Sequence, residues 1–285
     1  MVKTVYFLIQ GQFGNNLFQY FAAEIIKKIY NYDAVMPTFH INLELNTVLE
    51  DDKFKVIIER YMNGNIVNID TSKDILLMGF FQRSDIFKFE RDYLRSLFTV
   101  ENQNNISNRI KIGNIVSYKS NHELQPTEND LTLHLRCGDF WDHENGNSQI
   151  FHPQDIKKMI ASIPHDRLFI VSQKATQTWE QDYYNQYNDL NPIWINGNLG
   201  DDFDFLMKST KLVISASTMC YMAAYLGNAT EVHIPYNYFY GGAIHHGQHL
   251  AEFDDNICKV YYNTKTWLPS KLSLPNSSNS STLSA

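Results

Sequence analysis

The chain alternates short apolar runs with longer stretches of helical spacing. Val2 to Ile9 is a β-rich apolar run, and Gly11-Gln-Phe-Gly14 follows it. Behind the glycines, Leu17, Phe18, Phe21, Ala22, Ile25, Ile26 and Ile29 recur at the spacing of one helix face. A strand, a glycine turn and a helix in that order open an α/β unit. Ile75 to Phe81 is a second apolar run, interrupted by Gly79, and Asp85 to Phe98 predicts a helix. Residues 101–130 are polar, rich in Asn and Ser, and weakly periodic. A domain boundary is placed near their end.

The second half is more regular. Strands are predicted at Leu131–Leu135, Leu168–Val171, Ile193–Ile195, Lys211–Ser215 and Glu231–Ile234. Between them lie a helix opened by Pro153, a polar helix over Thr176–Tyr187, a helix over Asp201–Ser209 and an apolar helix over Met219–Leu226. Proline suits the first helical position because its missing N–H has no partner there anyway. Alternation of this kind implies a parallel sheet covered on both faces. The expected division is 1–128, 129–269 and a flexible Ser/Asn/Leu-rich tail at 270–285.

Composition narrows the function. The chain has 285 residues, 44% hydrophobic and 19% charged, with a net charge of −7 and a pI near 5.8. This balance argues against a nucleic-acid partner, which needs a basic face. Three cysteines, Cys137, Cys220 and Cys258, are too few and too scattered for a disulfide framework or a zinc site. No signal-type leader and no apolar run of transmembrane length is present, so a soluble, cytoplasmic protein is expected.

Three segments carry candidate chemistry. His134-Leu-Arg136-Cys137-Gly-Asp139-Phe140 directly follows a strand, placing its polar groups at the strand's carboxyl end. Open α/β sheets bind ligands there. His134 and Arg136 point the same way by strand alternation, and a guanidinium so placed holds a phosphate through two parallel hydrogen bonds. The same residues also fit an Arg136–Asp139 pair tying strand to loop. Ser217-Thr218 sits between a strand and an apolar helix. There it provides either a phosphate site or an ordinary helix cap. Gly11-Gln-Phe-Gly14-Asn15 allows close backbone approach but is neither a dinucleotide fingerprint nor a P-loop.

Taken in order, these segments resemble the α-1,2-fucosyltransferase family, glycosyltransferase family 11. Gly14-Asn15-Asn16-Leu17-Phe18-Gln19-Tyr20 resembles the family's opening, and Phe80-Phe81-Gln82 its Tyr-Phe-Gln segment. His134 to Phe140 resembles its His-x-Arg-Arg-Gly-Asp-Tyr motif, and Ala216 to Leu226 its Asn-Ser-Thr helix. Cys137 replaces the second arginine, and Tyr221 and Met222 replace two tryptophans, marking a divergent member. The resemblance implies a GT-B fold of two Rossmann-like domains facing a cleft. It implies metal-independent, inverting transfer of fucose from GDP-fucose to a glycan hydroxyl, α-1,2 on a galactoside. Carried over, Arg136 holds the diphosphate, helped by Ser217 and Thr218. His134 contacts the guanine or braces the site, and Asp204 or Asp202 takes the guanine edge. Gly11, Gly14 and Asn15 line the cleft from the other domain. Among Asp139, Asp142, His143 and Glu144, the base is assigned to Glu144, and Asp139 orients Arg136.

Two clusters suggest a metal and are set aside. Asp202-Phe-Asp204 precedes a helix rather than ending an apolar strand, the usual place for a cation-binding Asp pair. His245, His246 and His249 have only Glu252 nearby as a further ligand. Acceptor contact suits these histidines better. Alternative readings are an inverting transferase with another nucleotide-sugar donor, and a non-catalytic nucleotide- or carbohydrate-binding relative.

Overall fold

The computed structural model describes residues 2–39, 46–97, 123–138, 141–142, 147–148, 150–235, 256–261 and 264–267. The first half is a four-stranded sheet. It contains β1 (Thr4–Leu8), β2 (Ala34–Thr38), β3 (Asn46–Glu50) and β4 (Asp74–Met78) in the order β2-β1-β4-β3. Every pairing in it is parallel. Its helices are α1 (Phe13–Tyr30), α2 (Asp51–Met62), α3 (Ser84–Phe89) and α4 (Arg91–Leu97). The expected single helix over Asp85–Phe98 is thus two. The break falls at Glu90, whose buried carboxylate takes Lys28 of α1 at 2.7 Å.

The second half holds β5 (Leu131–His134), then β6 (Trp141–Asp142) and β7 (Asn147–Ser148) as a short antiparallel pair. There follow α5 (Pro153–Ala161), β8 (Leu168–Val171), α6 (Thr178–Asn185) and β9 (Ile193–Ile195). α7 (Leu199–Lys208), β10 (Lys211–Val213), α8 (Thr218–Leu226), β11 (Glu231–Pro235) and β12 (Cys258–Tyr261) complete it. Pro153 occupies the first turn of α5, and His152 caps it. Six parallel strands form one sheet in the order β12-β11-β10-β5-β8-β9. Numbered within this half, that is 6-5-4-1-2-3, the doubly wound order, which reverses direction between β5 and β10.

Helices α1 and α8 join the halves. A surface helix buries one stripe, but these two bury nearly every side, α1 from Phe13 to Ile26 and α8 from Cys220 to Leu226. α1 packs on its own sheet, and the two helices pack on each other. Phe18 lies 5.6 Å from Tyr221, ring to ring, and Phe87 lies 5.9 Å from Tyr225. Phe13 meets Phe203 edge to face at 4.8 Å. Arg91 and Arg95 of α4 donate to the carbonyls of Tyr225 and Gly227 at the end of α8, where the helix dipole favours cations. One continuous apolar core spans both halves. The architecture is α/β with two parallel sheets flanked by helices, a GT-B-like arrangement.

Candidate active site

The reversal between β5 and β10 leaves a crevice at the carboxyl ends of both strands, and the polar motif residues gather there. Leu133 of β5 pairs with Val213 of β10, so the two strands run out side by side. Just beyond, His134 Nδ1 and Ser215 Oγ share a 2.6 Å hydrogen bond across the crevice. Burial, and then the charge of Arg136, push the His134 pKa down to about 3. Its ring is therefore neutral at pH 7, one nitrogen donating and the other accepting.

Arg136 leaves the strand toward the other half and meets Gln12 Oε1 at 3.5 Å. Gln12 is the N-cap of α1, and Ser217 is the N-cap of α8. Neither helix receives a side-chain cap hydrogen bond, and neither carries an acidic residue in its first turn. Other helices differ: α2, α5 and α7 each begin with carboxylates. The first turns of α1 and α8 also touch. A Cβ on Gly14 would collide with the backbone of Thr218 and Met219. Two positive dipole ends and a guanidinium thus converge on one crevice with no carboxylate from either first turn. That combination receives an anion.

The first half supplies the opposite wall. Gly11 adopts φ +71°, and a side chain there would run into Asn15. Asn15 Oδ1 accepts from Gln82 Nε2 at 2.7 Å, joining the first turn of α1 to the turn after β4. Beneath them, Asn16 Nδ2 donates to the Gln10 carbonyl and to Gln19 Oε1, and Gln19 Nε2 donates to the Gly79 carbonyl. Asn16 and Gln19 are buried, so these motif residues hold the wall in place rather than face a ligand. Gly14 likewise packs helix on helix instead of lining open space.

Asp202 and Asp204 separate clearly. Asp204 pairs with Lys208 one turn on at 2.7 Å. Asp202 is buried at the start of α7 and accepts from Gly197 N–H at 2.8 Å. Burial, against that hydrogen bond and with help from Asp201, raises its pKa to about 7. Of the two candidates, Asp202 is the one poised at a strand's carboxyl end. Cys137 turns away from the crevice into the core beside Tyr184, where burial pushes its thiol up to about 12. A side chain at that position therefore points away from the anion site. Asp139, His143 and Glu144 lie outside the described residues, as do His245, His246, His249 and Glu252. Asp142 is on β6.

No protein-family model matches the chain, and no curated protein matches it. Among solved structures, it is similar to the crystal structure of POFUT1 in complex with GDP. The TM-score is 0.43 and the identity 9%, with 80% of this chain and 96% of that chain covered.

Three supporting residues escaped the sequence reading. Gln12 and Ser215 act through tertiary contacts that no local pattern announces. Glu180 had a signal, the Gln177-x-x-Glu180 spacing of a capping box. One of its oxygens accepts from Gly138 N–H at 3.0 Å, and the other from Thr176 and Gln177. This buried carboxylate clamps the turn that follows Arg136. Among the described residues, no group of three or more His, Cys, Asp or Glu could hold a metal. No described helix is long and apolar enough to cross a membrane.

Proposed function

We propose that the chain is an inverting glycosyltransferase that moves fucose from GDP-fucose to a glycan hydroxyl without a metal, α-1,2 to a galactoside. The observation that carries this reading is the anion site at the strand reversal. Arg136 and the uncapped first turns of α1 and α8 meet there, beside the His134–Ser215 pair. The ordered resemblance of these segments to family 11 supports the choice of donor.

In this reading the acceptor oxygen attacks the anomeric carbon and the bond to the β-phosphate oxygen breaks. GDP leaves with that electron pair. Arg136, the amides opening α8, and Ser217 and Thr218 receive the charge that develops on the diphosphate. Neutral His134 and the Asp202 carboxylate take the guanine edge. Gly11 and Asn15 border the acceptor side. Glu144 accepts the proton of the attacking hydroxyl, and Asp139 orients Arg136.

Calorimetric titration of GDP, GDP-fucose, UDP and UDP-glucose, with and without EDTA, tests the donor. Binding of GDP and GDP-fucose alone, unchanged by EDTA, is expected. Preference for UDP, or binding lost in EDTA, overturns the assignment. Glu144→Gln should cut turnover about a hundredfold or more with GDP affinity unchanged. Normal turnover in that variant would move the base elsewhere.

A further inference from the structure

A second concavity lies along the same sheet, beyond β5, at the carboxyl ends of β8 and β9. Its volume is about 350 Å³, within the range of small-molecule sites. Its floor is aromatic. Tyr184 and Trp194 lie with ring centroids 5.5 Å apart at 51°, and Trp194 is partly exposed. Its rim is made of amides: Gln173, Gln181, Asn185, Asn188 and Asn196. Among the described residues, Lys174 is the one charged side chain lining it, and no carboxylate does.

Four of these amides are held in place by hydrogen bonds. Asn196 Nδ2 donates to the carbonyl and hydroxyl oxygens of Ser172 at 2.8 and 3.1 Å. Asn185 Oδ1 accepts from Gln181 at 3.0 Å and from Asn188 at 3.3 Å. Each side-chain amide offers donors and acceptors together. A sugar hydroxyl needs both from one neighbourhood, and a pyranose ring also presents an apolar face that suits an indole. An anion would want more than one cation, and a cation would want a carboxylate. The chemistry fits a neutral polyhydroxylated ligand.

We infer that this cleft is a binding site for neutral saccharide, separate from the anion site at Arg136. The two are linked through Tyr184, which packs beside Cys137, the residue directly after Arg136. A glycan seated here would therefore lie along the edge that holds the donor.

The test is calorimetric titration of lactose and N-acetyllactosamine into the full chain, with and without saturating GDP. Saturable binding that survives GDP is expected. Trp194→Ala should weaken it about tenfold or more. Because Trp194 also packs on Tyr184, a second variant replaces Gln173 and Asn185, both exposed, by alanine. It should keep the parent melting temperature and GDP affinity while losing saccharide binding. Absence of saturable binding of either sugar overturns the inference. So does competition by GDP, which would place the sugar in the donor crevice, and so does undiminished binding in both variants. None of these outcomes depends on fucose transfer.

Discussion

His134 at the crevice and Asp202 at the start of α7 are both buried, and burial moves their pKa values in opposite directions. His134 is held neutral, with its folded pKa well below the ordinary 6.5. Below that value the unfolded chain takes up a proton that the folded chain refuses, so stability is lost as pH falls. Asp202 has its pKa lifted from 3.8 to about 7, so its carboxylate forms only near neutral pH. Between those values the folded chain keeps a proton that the unfolded chain releases, so stability falls as pH rises through the window. Asp202→Asn keeps an oxygen for Gly197 N–H and removes the ionisation. It should raise the denaturation midpoint at about pH 8 and leave it near wild type at about pH 4. A gap independent of pH would show that burial does not hold the proton. The same variant should weaken GDP binding, since an amide offers one acceptor oxygen where a carboxylate offers two; binding sites often sacrifice stability in this way. Arg136→Ala should behave differently. Arg136 is only partly buried, so the midpoint should barely move. GDP affinity should fall by about 1.5–3 kcal/mol, the value of a hydrogen bond to a charged group. Unchanged affinity in calorimetry would remove Arg136 from the phosphate site.

At the scale of elements, the contact between α1 and α8 sets how closely the two halves approach. Gly14 packs against the backbone of Thr218 and Met219, not against a side chain able to swing aside. Gly14→Ala must push the helices apart, at a cost of about 1–3 kcal/mol by analogy with other overpacked sites. Chemical denaturation should show that loss, with weaker GDP binding alongside it; a midpoint equal to wild type would mean that the helices part freely. This contact also marks the limit of what the sequence discloses. The strand–turn–helix unit around Ser217 was legible because strand, turn residues and helix are contiguous. β2, β3, α2 and β12 were not. β2 carries Pro37 and partial exposure, and no residue of β12 is fully buried, so neither shows strong periodicity. Asn16 and Gln19, part of the stretch that resembles the family's opening, are buried struts. A polar residue's type does not reveal whether its partner is a ligand or the next loop's carbonyl.

The whole molecule follows from that shared helix pair. Two Rossmann-like halves often meet across a thin interface and move as separate bodies. Here the apolar core is continuous from Val5 to Ile234, and an aromatic seam pairs Phe13, Phe18 and Phe87 of the first half with Phe203, Tyr221 and Tyr225 of the second. The Tyr225 hydroxyl reaches back to the Phe87 carbonyl at 2.7 Å. Removing one half would expose the buried flank of α1 or α8, so neither half should remain folded once the other is lost. The distribution of tryptophan makes this testable without labels. All four, Trp141, Trp179, Trp194 and Trp267, belong to the second half. Tryptophan fluorescence therefore reports that half alone, while far-ultraviolet circular dichroism reports the helices of both. One cooperative unit requires the two signals to share a single denaturant midpoint. Arg91→Ala with Arg95→Ala, which removes the clamps on the end of α8, should lower that midpoint for both probes together. Separate transitions, with fluorescence unchanged while the dichroism signal falls, would mean that the halves fold independently. The crevice at Arg136 would then be a hinge between bodies rather than part of one rigid core.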